Sequence, residues 1–275
     1  MTELLDSPPT AERPTGGTAA AQAPLVQVRE LTMAFGDNVV QHDLTFNVLP
    51  GEVLAVAGGS GCGKSTLLRH LIGLQAPAKG QVLYGEHDLY AAQPDVRRTL
   101  MQSFGVAFQA GALWSSMTVG ENMMLPMQVF TDMSEEQCEQ EARFKLALVG
   151  LAGSFDKEPA ALSGGMKKRA AIARALALNP ALLFLDEPSA GLDPLSSANL
   201  DELIMHLRDD LGTSVVMVSH ELASIFALAD RLLFLDAQTK TMTALGPPQD
   251  LLHDGPEGVQ HFLRRGATHG REVHA

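Results

Sequence analysis

Cysteine is scarce in this chain: Cys62 and Cys138 are the two it has. Two cysteines build neither a disulfide framework nor a zinc site, and a reducing, cytosolic setting suits them best. Positive charge is short too. The formal net charge is −12 at neutral pH. An acidic chain is a poor match for wrapping nucleic acid, which needs a basic face. Long apolar runs are missing: none approaches the roughly 18–20 residues that span a bilayer. Residues 1–24 lack a positive start and an apolar stretch, so they do not read as a secretory signal. Rich in Thr, Ala, Pro and Gly, they read as a disordered tail. No internal repeat is visible.

What is present is enough to fold. The 275 residues are 45% hydrophobic, which supplies a packed core for one large domain or a domain with a lobe. Residues 25–33 and 39–48 have strand character around the turn Gly36-Asp37-Asn38, and predict a small antiparallel element. Short strands are expected at 53–57, 81–84 and 105–108, and buried strands at 182–185 and 214–218. Helices are expected at 66–74, 94–102, 166–178, 193–211 and 221–229, and a closing hairpin at 231–245. Arg97 and Arg98 are expected to be exposed. Between about 111 and 165 the chain turns helical, with a capping box at Ser134–Gln137. Apolar strands alternating with helices predict an α/β fold: a mostly parallel sheet, an N-terminal antiparallel β element and an inserted helical subdomain. Residues 247–275 read as a C-terminal tail whose histidines, His253, His261, His269 and His274, match no metal spacing.

The chemistry centres on Gly58-Gly59-Ser60-Gly61-Cys62-Gly63-Lys64-Ser65-Thr66. An apolar strand precedes it and a leucine-bearing helix follows, the context of a phosphate loop. Glycines let successive N–H groups face an anion, and the helix adds its positive end. Lys64 reaches terminal phosphates and the Ser65 hydroxyl holds Mg²⁺ in such a loop. A second element is the apolar run 182–185 ending at Asp186-Glu187. Ligands of parallel sheets sit beyond strand carboxyl ends. There Asp186 is placed for Mg²⁺ and Glu187 is the better general base for an attacking water. A third is Leu162-Ser163-Gly164-Gly165-Met166, which suits a plain helix cap as well as an anion site. Phe35 suits a core or turn aromatic as well as a base-stacking one. The methionines between 117 and 133 suit lobe core, or a deformable groove for a partner's helix.

Taken together, these segments resemble the ATP-binding cassette ATPases, the nucleotide-binding subunits of ABC transporters. The resemblance covers roughly residues 25–246 in the expected order. It implies that Phe35 stacks on adenine and that 58–66 is the Walker A loop. Gln109 becomes the glutamine that contacts Mg²⁺ and the coupling region. Ser163, Gly164 and Gly165 form the signature facing ATP on another subunit. Asp186 and Glu187 become Walker B and the catalytic base, 189–193 the D-loop, and His220 the switch histidine. Catalysis then rests on Glu187, His220, Lys64 and Gln109, with ATP and Mg²⁺ bound. Met166 stands where many members have Gln. With the stretch 105–122 and the Phe262-Leu263 pattern, it is similar to the ATPases of Mce-associated lipid transport, the Mla and Mkl type. All the motifs stand intact in one chain, so a homodimer with two active sites is expected. The resemblance further implies a membrane permease, an Mce-domain protein, a place on the cytoplasmic face of the inner membrane and a lipid cargo.

Other readings are an ATPase of a small-solute importer or exporter, a soluble cassette ATPase, and a non-hydrolysing nucleotide sensor. The 64–162 interval is too short for the coiled-coil insertion of DNA-repair relatives, and there is one cassette here. Retention of Glu187 and His220 speaks against the sensor.

Overall fold

The computed structural model describes residues 23–267. Most of the N-terminal segment read as a tail, together with His269 and His274, lies outside those residues. Strands β1 (Val26–Phe35) and β2 (Asn38–Val48) pair antiparallel across Gly36-Asp37, with Val26 opposite Val48 and Phe35 opposite Asn38. β3 (Val53–Gly58) follows, then helix α1 (Lys64–Leu71). β4 (Lys79–Tyr84) pairs with β1, and the short β5 (His87–Asp88) extends it, giving a four-stranded sheet in the order β2-β1-β4-β5.

Helix α2 (Pro94–Gln102) leads to β6 (Phe104–Ala107). The helical subdomain holds α3 (Val119–Phe130) and α4 (Glu135–Leu148). Helix α5 (Gly164–Ala175), β7 (Leu182–Asp186), α6 (Pro194–Asp209), β8 (Ser214–Val218) and α7 (Leu222–Leu228) return the chain to the sheet. The hairpin β9 (Arg231–Asp236) and β10 (Thr241–Gly246) closes it. This second sheet has six strands in the order β10-β9-β3-β8-β7-β6, and β10 alone runs antiparallel to its neighbour.

Alternation along the parallel strands explains the layering, because successive side chains leave opposite faces. Ala55, Leu183 and Val215 belong to one core, shared with α3, α4, α5 and α6. Leu54, Phe184 and Val216 belong to the other, shared with α1 and the antiparallel sheet. Both faces are covered, so these strands are apolar throughout. The methionine-rich stretch divides. Met123 and Met127 are fully buried and serve the core. Val129 and Phe130 beside them are exposed.

Helix starts follow their caps. α5 begins at Gly164, two residues earlier than the sequence pattern suggests, because the Ser163 hydroxyl accepts from Met166 N at 3.3 Å. The Ser134–Gln137 capping box forms, and Thr118–Glu121 forms a second that starts α3. Arg98 is exposed as expected, but Arg97 is not fully so. Its guanidinium donates to Gly73 O at 2.9 Å and lies over the Tyr90 ring at 5.6 Å.

The segment read as a C-terminal tail is different in kind. It forms α8 (Pro248–Asp254) and α9 (Glu257–Ala267). Val259 and Leu263 are buried in the core, and Phe262 meets Phe234 edge-on with centroids 5.1 Å apart. Burying each such side chain stabilises the fold by about 1.5–3 kcal/mol. His253 and His261 do face solvent.

Candidate active site

The glycine loop leaves the end of β3 and enters α1, and its backbone is built for glycine at two points. Gly58 has φ +151, and a Cβ there would stand 2.3 Å from Leu235 O. Gly63 has φ +101, with Val40 Cγ1 2.7 Å from the same position. α1 has no acidic residue in its first turn, and no described side chain caps it. Its leading N–H groups therefore present positive partial charge to the cleft. The Lys64 ammonium donates to Gly58 O at 3.0 Å and Gly59 O at 3.1 Å. Its third contact is a long one, to Cys62 Sγ at 3.9 Å; a thiol is a weak acceptor, so this is the donor an anion would take over. Cys62 turns the other way: its side chain is buried beneath the loop, and burial pushes the thiol up from its ordinary value, against the pull of nearby Lys64.

The strand ends bring the acids to the same edge. β7 lies between β6 and β8, and all three run parallel to β3. The Ser65 hydroxyl donates to Asp186 Oδ1 at 3.4 Å. Burial raises the Asp186 carboxyl, and the neighbouring Glu187 charge adds to this, while the Ser65 bond opposes it. Glu187 is held from several sides. Gln109 Nε2 donates to its Oε2 at 3.3 Å, and His220 Nδ1 stands 3.2 Å from Oε1. Its backbone is left-handed at φ +47, a strained setting for a residue with a Cβ.

Phe35, Ser60, Gly61, Gly63, Lys64, Ser65, Thr66 and Glu187 line one cleft of about 440 Å³. Asn38 and Val40 line it as well, and nothing in the sequence pattern marked them. Phe35 is 53% exposed at its mouth, so it is not a core aromatic. The cleft supplies a cationic loop, the Ser65 hydroxyl and the Glu187 carboxylate, and the Asp186 carboxylate stands behind Ser65 as a second hard oxygen donor. Among the described residues no three His, Cys, Asp or Glu side chains converge on a metal position. A cation here would take further oxygens from phosphate and water.

Ser163, Gly164 and Gly165 do not line this cleft. Nor does their own chain require the glycines. A Cβ at Gly164 would meet nothing nearer than Leu192 at 3.9 Å, and one at Gly165 nothing nearer than Ser196 at 3.8 Å. Glycine in a helix is unfavourable by roughly 1 kcal/mol against alanine. Two contacts on the same helix escaped the sequence reading. Lys168 Nζ donates to Glu187 O at 2.9 Å. Arg174 donates to Ala112 O at 2.6 Å and to Gly111 O at 3.2 Å, just beyond Gln109. A run of basic residues after Gly165 was visible, but not which of them turns inward.

A glycine loop joining a parallel strand to a helix, with strand-end acids closing on it, defines a P-loop nucleotide-binding protein. The sequence pattern of the ABC transporter family matches residues 41–190. The chain belongs to that family. It is 36% identical over 238 residues to the "probable ribonucleotide transport ATP-binding protein mkl" of Mycobacterium tuberculosis, covering 86% of this chain. It spans only 66% of that relative's length. It is 34% identical over 240 residues to the "intermembrane phospholipid transport system ATP-binding protein MlaF" of Haemophilus influenzae, covering 87% of this chain and 90% of the relative. The structure resembles the ATP-binding cassette MJ0796, solved as a dimer bound to ADP and Pi, with a TM-score of 0.72 and 27% identity. That likeness covers 81% of this chain and 98% of the other.

Proposed function

We propose that this chain is the ATP-hydrolysing subunit of an ABC transporter that moves phospholipid or a related hydrophobic cargo. The observation that carries the hydrolase reading is one cleft shared by Lys64, Ser65 and Glu187, with Glu187 gripped by Gln109 and His220. Lys64 and the loop N–H groups hold the terminal phosphates, and Phe35 offers a face to the adenine. Glu187 accepts the proton of the attacking water, and Gln109 and His220 fix its direction. Ser65 and Asp186 would hold Mg²⁺, with Gln109 beside them. When bound, it neutralises phosphate charge in the transition state.

The partner is a second copy of the chain. Gly164 and Gly165 are not required as glycines by their own fold, and Ser163, Gly164 and Gly165 are absent from their own cleft, which suits a site completed across a dimer. The dimeric cassette neighbour supports the same arrangement. No described helix is long and apolar enough to cross a membrane, so the transport path belongs to a permease. A separate cleft of about 570 Å³, lined by Pro94, Arg97, Met101, Phe130 and Leu178 among others, offers that permease an apolar seat at the cytoplasmic face of the inner membrane. Phospholipid is preferred over ribonucleotide because the phospholipid-system relative is matched along nearly its whole length. An Mce-domain protein then completes the assembly.

Glu187→Gln is the direct test. The variant is expected to bind ATP, release no phosphate and run as a dimer with ATP in light scattering. Hydrolysis at the wild-type rate would remove Glu187 from its role. The transport reading is tested by purifying the chain from detergent-solubilised membranes. A co-purifying permease with bound phospholipid supports it, and recovery with a solute-binding protein instead would move the cargo to a small solute.

A further inference from the structure

We propose that Lys168 is a positioning residue for Glu187, holding the backbone of the general base from the helix that carries this chain's own signature. The proposal rests on the hydrolase reading above and adds a part to it.

Glu187 sits in a left-handed backbone conformation that no glycine relieves. Such a conformation persists only where its surroundings hold it. Three contacts do so. Glu187 N donates to Val218 O at 2.9 Å, and Glu187 O accepts from Ala190 N at 3.3 Å. The third is the Lys168 ammonium on that same oxygen at 2.9 Å. A charged donor makes the stronger hydrogen bond, so Lys168 dominates at the carbonyl. With the backbone held there, the carboxylate swings little between Gln109 and His220.

Stability alone gives a poor account of this lysine. It is half-buried, and burial lowers its pKa against the pull of Glu187 and Asp186. Among the described residues, neither carboxylate is close enough to form an ion pair with it, and its hydrogen bond goes to a carbonyl. An apolar side chain would fill such a place at lower desolvation cost. The charge is spent on the carbonyl of one particular residue.

The helix gives the contact its meaning. α5 starts at the signature, touches Glu187 through Lys168, and grips Gly111 and Ala112 through Arg174. Lys168 lies about 6 Å along the axis from Gly164, at 1.5 Å per residue. A shift of the signature end therefore reaches the base through about one rigid helical turn. Through Lys168, the seating of one chain's signature on a neighbouring nucleotide is felt at that chain's own Glu187.

The test compares Lys168→Met and Lys168→Arg in the full chain. Three quantities are read: kcat for ATP, affinity for a fluorescent ATP analogue, and the melting midpoint. Lys168→Met is expected to lower kcat about tenfold or more, the scale of a slightly misplaced group, with affinity within about threefold. Its melting midpoint should stay near wild type. Lys168→Arg, which also donates to a carbonyl, is expected to recover most of the rate. A Met variant within twofold of wild-type kcat, or an Arg variant as slow as Met, overturns the proposal. So does a rate loss matched by equal losses in affinity or melting, the mark of a structural prop. A wild-type chain that binds ATP without hydrolysing it would sink the hydrolase reading itself, and this proposal with it.

Discussion

His220 Nδ1 stands 3.2 Å from Glu187 Oε1, while Gln109 takes the other carboxylate oxygen at 3.3 Å. Each oxygen thus has its own anchor, from a different strand end. Losing the imidazole frees one oxygen without touching the phosphate loop. His220→Ala is expected to keep ATP affinity within about threefold and to lower kcat about a hundredfold, the usual scale for a lost general-base arrangement. Phosphate release and nucleotide titration on one preparation decide it. Equal loss of affinity and turnover would assign His220 to binding instead.

Cys62 lies inside the loop sequence yet its side chain is buried, with the thiol pushed up by burial. Thiolate is the reactive form, so the native thiol should be slow. Titration with a chromogenic disulfide reagent at mildly alkaline pH is expected to label neither Cys62 nor Cys138 quickly, since both are buried. Both should react once urea is added. Whatever slow labelling of Cys62 occurs should block ATP binding, and ATP should slow it further. Rapid labelling of the native chain would contradict the burial.

His70 sets a pH dependence of stability. It is fully buried on α1, with Nδ1 2.5 Å from Gln75 O, and Nε2 has no partner among the described residues. Burial lowers its pKa. The unfolded chain therefore takes up the proton first as pH falls. Its contribution is full above the unfolded value of about 6.5 and is lost as pH falls from there through the folded value. The urea midpoint of wild type should fall more steeply than that of His70→Asn on acidification from neutrality. Parallel curves would remove His70 from the account.

Leu263 tests the C-terminal helices. It is fully buried, one turn from Val259 on α9. Leu263→Ala is expected to lower stability by about 2–5 kcal/mol, the range for core leucines. Denaturant unfolding measures it. A variant as stable as wild type would mean that α9 is only loosely seated.

Much of this architecture is written in local patterns. The runs at 182–185 and 214–218 announce strands buried on both faces, and the glycine loop announces itself by spacing and flanks. The strand order is not local, since it depends on which crossover passes over which face. Lys168 was hidden for a similar reason. In the run Lys167-Lys168-Arg169, sequence alone does not say which side chain turns toward β7. The C-terminal helices did leave a signal: Val259, Phe262 and Leu263 sit at i, i+3 and i+4, a helical face. The glycines, prolines and histidines around them dilute that face to a single short stretch. Cys62 could not be placed from sequence, because Gly59, Ser60 and Gly61 just before it are exposed while its own side chain turns under.

Gly164 and Gly165 have room for a side chain within their own fold. In genetic terms, two defective alleles should then rescue each other. One chain carries Lys64→Ala and keeps its signature; the other carries Gly165→Asp and keeps its loop. Each homodimer has two broken clefts, but a mixed pair has one made wholly of intact halves. Random pairing of equal amounts puts about a quarter of the wild-type number of clefts back in service. Turnover that rises on mixing two dead proteins would show a site divided between molecules, and a mixture that stays dead would count against one.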